Sequence, residues 1–274
     1  MQPPSSPLPA GLRQIRFTNF GPFVIVYEYP FSERIRTYLR VERLLERLLD
    51  LQHRDSANDH HFALQTLFEL MDITSRADVR GDLLKDLDKQ KSNLVAYKDN
   101  PNIDSSMLKD LLAQIETCHK QLSATPGKPG QSLNDSEWLM TLRGRMGIPA
   151  GTCEFDLPGY HDWLHSSVQQ RQTQLTGWSS AFMPVYKALQ LILRLLRDNS
   201  SPKTVSAPGG SFQQQLSQGR SFHLLRIEVP TNSGLIPEIS GNRMLIAVRF
   251  MSADEQRRLQ PVKDDVNFVI SLCS

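Results

Sequence analysis

The sequence predicts an α+β protein: a multi-helix domain plus a mainly antiparallel β-domain built from both chain ends. Three observations predict it. Apolar residues recur at helical spacing from Ser32 to Arg197. After Asp198 the spacing changes to two, the period of a half-buried strand. A β-branched and aromatic run, Val24 to Tyr29, stands alone before the helices and is the natural partner for C-terminal strands too few to close a sheet by themselves. The helical domain is therefore expected at residues 31–198 and the β-domain at 24–30 with 199–274. Met1 to Phe23, with four prolines in its first nine residues and no apolar core of a signal peptide, is expected to be disordered.

Taken in order, the first strand ends at Pro30, which has no N–H to extend a ladder. Ser32 is a suitable N-cap and Glu33 a favourable first-turn charge for a helix of about 20 residues, roughly 30 Å long. On one side of it Tyr38, Val41, Leu45, Leu48 and Leu49 form a core stripe. On the other, Arg36, Arg40, Arg43 and Arg47 recur at steps of four, three and four, which lines up their guanidinium groups. This rail is either a solvated face partly neutralised by Glu46 and Asp50, or a face for a second subunit or an acidic partner.

Helical patterns follow at Asn58 to Thr74, with Phe62, Leu64, Leu67, Phe68 and Met71, and at Asp78 to Tyr97. Another runs from Asp104 to Leu122, capped by Asp104 or Ser105. Thr125 to Ser136 reads as a loop, and Asn134 or Asp135 can cap a short helix through Trp138 and Leu142. Pro149, Gly151, Pro158 and Gly159 impose an elbow, with helix resuming near Pro158 and again from Ser179 to Arg197. Asn199 to Ser211 reads as a linker. Strands are expected at Ser221 to Val229, Arg243 to Phe250 and Val266 to Leu272. In the middle one, Met244, Ile246, Val248 and Phe250 point one way while Arg243, Leu245, Ala247 and Arg249 point the other.

The totals exclude several function classes. Across 274 residues the net charge is +2, so a basic function has to come from local patches, not from bulk attraction to nucleic acid. No apolar run approaches the roughly 18 residues of a membrane span. Cys118, Cys153 and Cys273 lack CxxC spacing and read as reduced cytosolic thiols. No phosphate-cradling, nucleophile-elbow or metalloprotease motif is present, and neither enzymatic activity nor a cofactor is expected. His60 and His61, beside Asp59, point about 100° apart on a helix and read as exposed residues of its first turn. His161 and His165 have metal spacing beside Asp162 but no local third ligand. Trp138, Trp163 and Trp178 lie among helices without basic interleaving and read as core. Arg243 and Arg249, flanking Leu245, are either a solvated sheet face or a platform for an acidic peptide, which Arg76 and Arg80 are candidates to complete. The alternative is a nucleic-acid-binding regulator that uses the arginine rail of the first helix.

Four ordered segments carry a resemblance: YEYPFSERIRTYLRVE at Tyr27 to Glu42, RGDLLKDLDKQ at Arg80 to Gln90, IPAGTCEFDLPGYHDWLH at Ile148 to His165, and ISGNRMLIAVRFM at Ile239 to Met251. With them the chain resembles the ZapD family of cell division proteins from about Val24 to Cys273. The resemblance implies a cytoplasmic protein at the midcell ring that binds the C-terminal tail of the tubulin-like GTPase FtsZ. It implies a symmetric homodimer that cross-links FtsZ protofilaments, and no membrane or nucleic-acid partner. Arg76 and Arg249 match basic positions that the family associates with FtsZ binding. Family members usually begin close to the strand, so the residues before Val24 are expected to come from an upstream start.

Overall fold

The computed structural model describes residues 23–98, 100, 104–217, 219, 221–242 and 244–274; the expectations for residues 1–22 and for Arg243 fall outside them. The described residues form two compact units, one of those up to Arg36 with Leu193–Ser274 and the other of Thr37–Ile192. The α+β class is borne out, with antiparallel sheets that combine the N-terminal strand with the C-terminal ones.

In the first unit, β1 (Val24–Pro30) pairs antiparallel with β4 (Leu224–Pro230), and β4 with β8 (Val266–Cys273). The edge beyond β8 is β2 (Lys203–Ala207). Phe31 N–H donates to His223 O and Thr231 N–H to Phe23 O, so the bonded pairs of β1 fall on alternate residues and Pro30 turns its nitrogen away from β4. A second sheet orders β3 (Ser211–Gln215), β6 (Leu245–Ala253) and β5 (Leu235–Gly241), with the short β7 (Leu259–Pro261) also on β6. The chain passes from β2 to β3 through Gly210, at φ +72°, where a Cβ would sit 2.4 Å from the Val262 carbonyl. Ile227, Val229, Ile246, Val248, Phe250, Phe268 and Ile270 form the core, and the Phe250 and Phe268 rings meet edge to face at 4.9 Å.

The other face of the first sheet carries a charged cluster among apolar residues such as Leu224 and Cys273. Arg197, in the last turn of α8 (Met183–Asp198), donates Nε and Nη2 to the two oxygens of Glu28, each at 2.9 Å. Arg226 approaches the same carboxylate at 3.2 Å. Burial pushes the Cys273 thiol beside this cluster up to about 11, so it stays protonated at neutral pH.

The second unit holds the remainder of α1 (Glu33–Gln52), then α2 (Ala57–Arg76), α3 (Val79–Val95), α4 (Ser105–Ala124), α5 (Glu137–Met146), α6 (Pro158–His165), α7 (Val168–Ser179) and the first turns of α8. Tyr38, Val41, Leu45 and Leu48 are buried along α1, and Leu64, Leu67, Leu70, Leu83, Leu87, Ile115, Leu122 and Phe182 join them. Caps stop the helices where the sequence offers them: Asp104 accepts from Ser106 N–H, and Asp78 from Gly81 N–H.

Several expectations are corrected. Ser136, not Asn134 or Asp135, caps α5, because those two lie in a 3-10 turn from Gln131 to Asp135. The segment 199–211, expected as a linker, contains β2, and α7 adds a helix that the apolar spacing does not predict. Phe62 is exposed by half, and Met244 lies ahead of β6, 69% exposed, instead of pointing inward.

His60 is fully buried, not exposed. Its Nε2–H donates to Arg54 O at 2.7 Å, which leaves Nδ1 to accept from Arg171 Nε at 2.9 Å. Burial, helped by the Arg171 charge, holds its pKa below the usual 6.5 against the pull of the Arg54 carbonyl, Asp59 and Asp55. The unfolded chain thus binds the proton more tightly, so stability is complete above about pH 6.5 and falls as pH drops through and below that value. Urea midpoints taken from pH 7.5 to 5 should decline across that window, and His60→Gln should flatten the decline. Equal slopes for the two proteins would contradict this assignment.

Candidate partner-binding surface

A guanidinium available to a partner has to be exposed and uncommitted, since breaking an internal ion pair offsets the gain from a new one. The rail of α1 fails this test in large part. Arg36 pairs with Glu33 at 3.2 Å, Arg43 with Glu46 at 3.2 Å, and Arg47 bonds Thr66 Oγ1 at 2.9 Å and Glu69 at 2.5 Å. Arg40 is exposed and also has a partner within the chain. Arg80 is engaged too: it donates to the Leu122 and Ser123 carbonyls, both at 3.0 Å, and so satisfies the C-terminal end of α4.

Arg76 and Arg249 differ from these. Arg76 stands exposed in the last turn of α2, where the helix dipole favours a cation, and among the described residues it has no ion-pair or hydrogen-bond partner. Arg249 lies on the exposed face of β6, between Ser211 of β3 and Glu238 of β5, and likewise has none. Leu245, four residues back on the same face, is 37% exposed, and Met244, just ahead of the strand, is exposed as well. Arg76 and Arg80 belong to the helical unit, Leu245 and Arg249 to the β-unit.

The fold also collects cations that the sequence had kept apart. Lys128 Nζ donates to Ser75 O beside Arg76, and Arg143 Nη2 binds Asp72 one turn earlier on α2. Their sequence separation from α2 left no local signal. At the far end of α2, His61 Nδ1 bonds Tyr160 OH at 2.6 Å within a cluster of Trp138, Trp163 and Trp178; Trp138 and Trp178 stack at 5.4 Å. His165 Nδ1 bonds the His161 carbonyl, and among the described residues no three His, Cys, Asp or Glu side chains are grouped to hold a metal.

The family model described as "ZapD: Cell division protein" matches residues 39–249. The chain belongs to the ZapD family. A protein named cell division protein ZapD from Janthinobacterium sp. (strain Marseille) is 43% identical over 251 residues, 92% of this chain and all of that protein. Those of Ralstonia pickettii (strain 12J) and Ralstonia nicotianae are 44% identical over 252 residues, again covering their full lengths. The ZapD family is one of cell division proteins, and its matched span includes Arg76 and Arg249, while Arg36 lies outside it. Among the described residues no helix is long and apolar enough to cross a membrane.

Proposed function

We propose that the protein binds the C-terminal tail of FtsZ and, as a two-fold homodimer, cross-links FtsZ protofilaments in the midcell ring. The observation that carries this reading is the pair Arg76 and Arg249, exposed and uncommitted within the family's span, the second beside exposed Leu245 and Met244. A tail that mixes acidic and apolar residues needs that combination: guanidinium groups for its carboxylates and apolar side chains for the rest. A two-fold dimer presents every tail site twice. Two weak sites on different filaments then act through effective concentration, which converts modest affinity into a cross-link.

Charge reversal tests the proposal. Each charge-assisted bond is worth about 1.5–3 kcal/mol, so Arg249→Glu and Arg76→Glu should each weaken tail binding by about 10-fold or more. Both variants should lose co-sedimentation with FtsZ polymers while their dimers persist in analytical ultracentrifugation. Wild-type bundling by both would remove these arginines from the site. Nucleic-acid binding by the α1 rail has no comparable support, because Arg36, Arg43 and Arg47 already hold carboxylates.

A further inference from the structure

The C-terminal end of α2 borders an open cavity of about 280 Å³ inside the helical unit. Met71, Pro129 and Gly130 give it apolar walls; Ser75, Lys128, Gln131, Asn134 and Arg143 supply the polar ones. The two charged residues that line it, Lys128 and Arg143, are both positive, and Arg76 follows Ser75 directly in the chain.

These walls are held in place. Buried Thr74 Oγ1 lies 2.7 Å from Leu70 O and 3.0 Å from Pro129 O, so its one proton is shared between α2 and the 127–131 loop packed on it. Gly130 takes φ +75° with the ring of fully buried Phe182 against it, so close that a Cβ would lie 2.3 Å from a ring carbon. Gln131 Oε1 accepts from Lys128 N–H at 3.0 Å, and Asp72 positions Arg143. A partner therefore meets cations whose positions are already fixed, and ordering them costs it little.

We propose that this cavity is a subsite for a carboxylate-bearing side chain of the acidic and apolar tail, bound by Lys128, whose bond to the Ser75 carbonyl leaves its charge without a counter-ion among the described residues, with an adjacent aliphatic side chain against Met71 and Pro129. This rests on the tail-binding reading and adds Lys128 to its residues. Charge complementarity selects the occupant: Asp72 already neutralises Arg143, so the lining's remaining charge is the Lys128 ammonium, and the tail is acidic.

The test is fluorescence anisotropy of a labelled synthetic FtsZ C-terminal peptide with the full chain. Lys128→Glu should raise the Kd at least 10-fold. Exposed Asn134→Trp, which changes no charge but fills the cavity, should raise it at least fivefold. Circular dichroism melts check that the variants fold, and Lys128→Met retains the stem for use if Lys128→Glu does not. Peptides with single Asp or Glu residues changed to Asn should include one whose loss of binding disappears on the Lys128→Met protein. If the wild type binds and Arg249→Glu weakens it, but the cavity variants stay within twofold, the subsite is overturned and tail binding stands. If the wild type does not bind the peptide, the tail-binding reading itself fails and the subsite with it.

Discussion

Arg171→Ala should cost the helical unit about 3–5 kcal/mol, as expected when one partner of a buried polar network is removed. Arg171 is 5% exposed. Besides the bond to His60, its Nη1 donates to the carbonyls of Leu164 and Ser166, and its Nη2 to Asp55 O at 3.0 Å. One side chain thus joins α7 to the α1–α2 turn and to the turn between α6 and α7. Alanine would leave these acceptors buried and unpaired, and would remove the packing of the aliphatic stem. Lysine would restore the charge but not the planar fork, and should recover less than half of the loss. Urea unfolding of the three proteins measures this, and a loss below about 1 kcal/mol for alanine would contradict the network's structural role.

Glu28→Ala should destabilise the β-unit by about 3 kcal/mol. The carboxylate, 20% exposed, is shared by Arg197 and by Arg226, whose side chain is 11% exposed. Without it two guanidinium groups of low exposure lose their common counter-ion on the outer face of the first sheet. The last turn of α8 also loses its bidentate tie to β1. Arg197→Ala alone should cost less, because Glu28 keeps Arg226. The double variant should cost less than the sum of the two single ones. Additive losses would show that the pair is not coupled.

Strong local periodicity was enough to read much of the fold. The apolar stripe of α1, the Asp104 cap and the alternation of β6 and β8 are each set by neighbours within a turn or a strand. β2 and β3 are hard to read because each is five residues long with a short apolar face, Val205 and Ala207 in β2 and Phe212 alone in β3. α7 escaped notice because its sequence, VQQRQTQLTGWS, buries little beyond Leu175 and Arg171. His60 was misplaced for the same kind of reason: the group that buries it, Arg171, comes from 111 residues further on.

The candidate site was legible as residue types but not as availability. Four evenly spaced arginines on α1 looked like the more prominent surface, yet Glu69 and Thr66 of another helix take Arg47. Arg80 looked equivalent to Arg76 until the α4 carbonyls claimed it. Arg36 and Arg43 pair with Glu33 and Glu46 three residues away, within reach of a sequence reading, whereas the partners of Arg47 and Arg80 are distant in sequence and show only in the tertiary structure.

The measurement that tests the central claim most directly is sedimentation of FtsZ polymers with this protein, comparing full-length FtsZ with FtsZ lacking its C-terminal tail. Tail recognition predicts that the protein pellets with, and bundles, only the full-length polymers. Equal pelleting with both, or with neither, would contradict it.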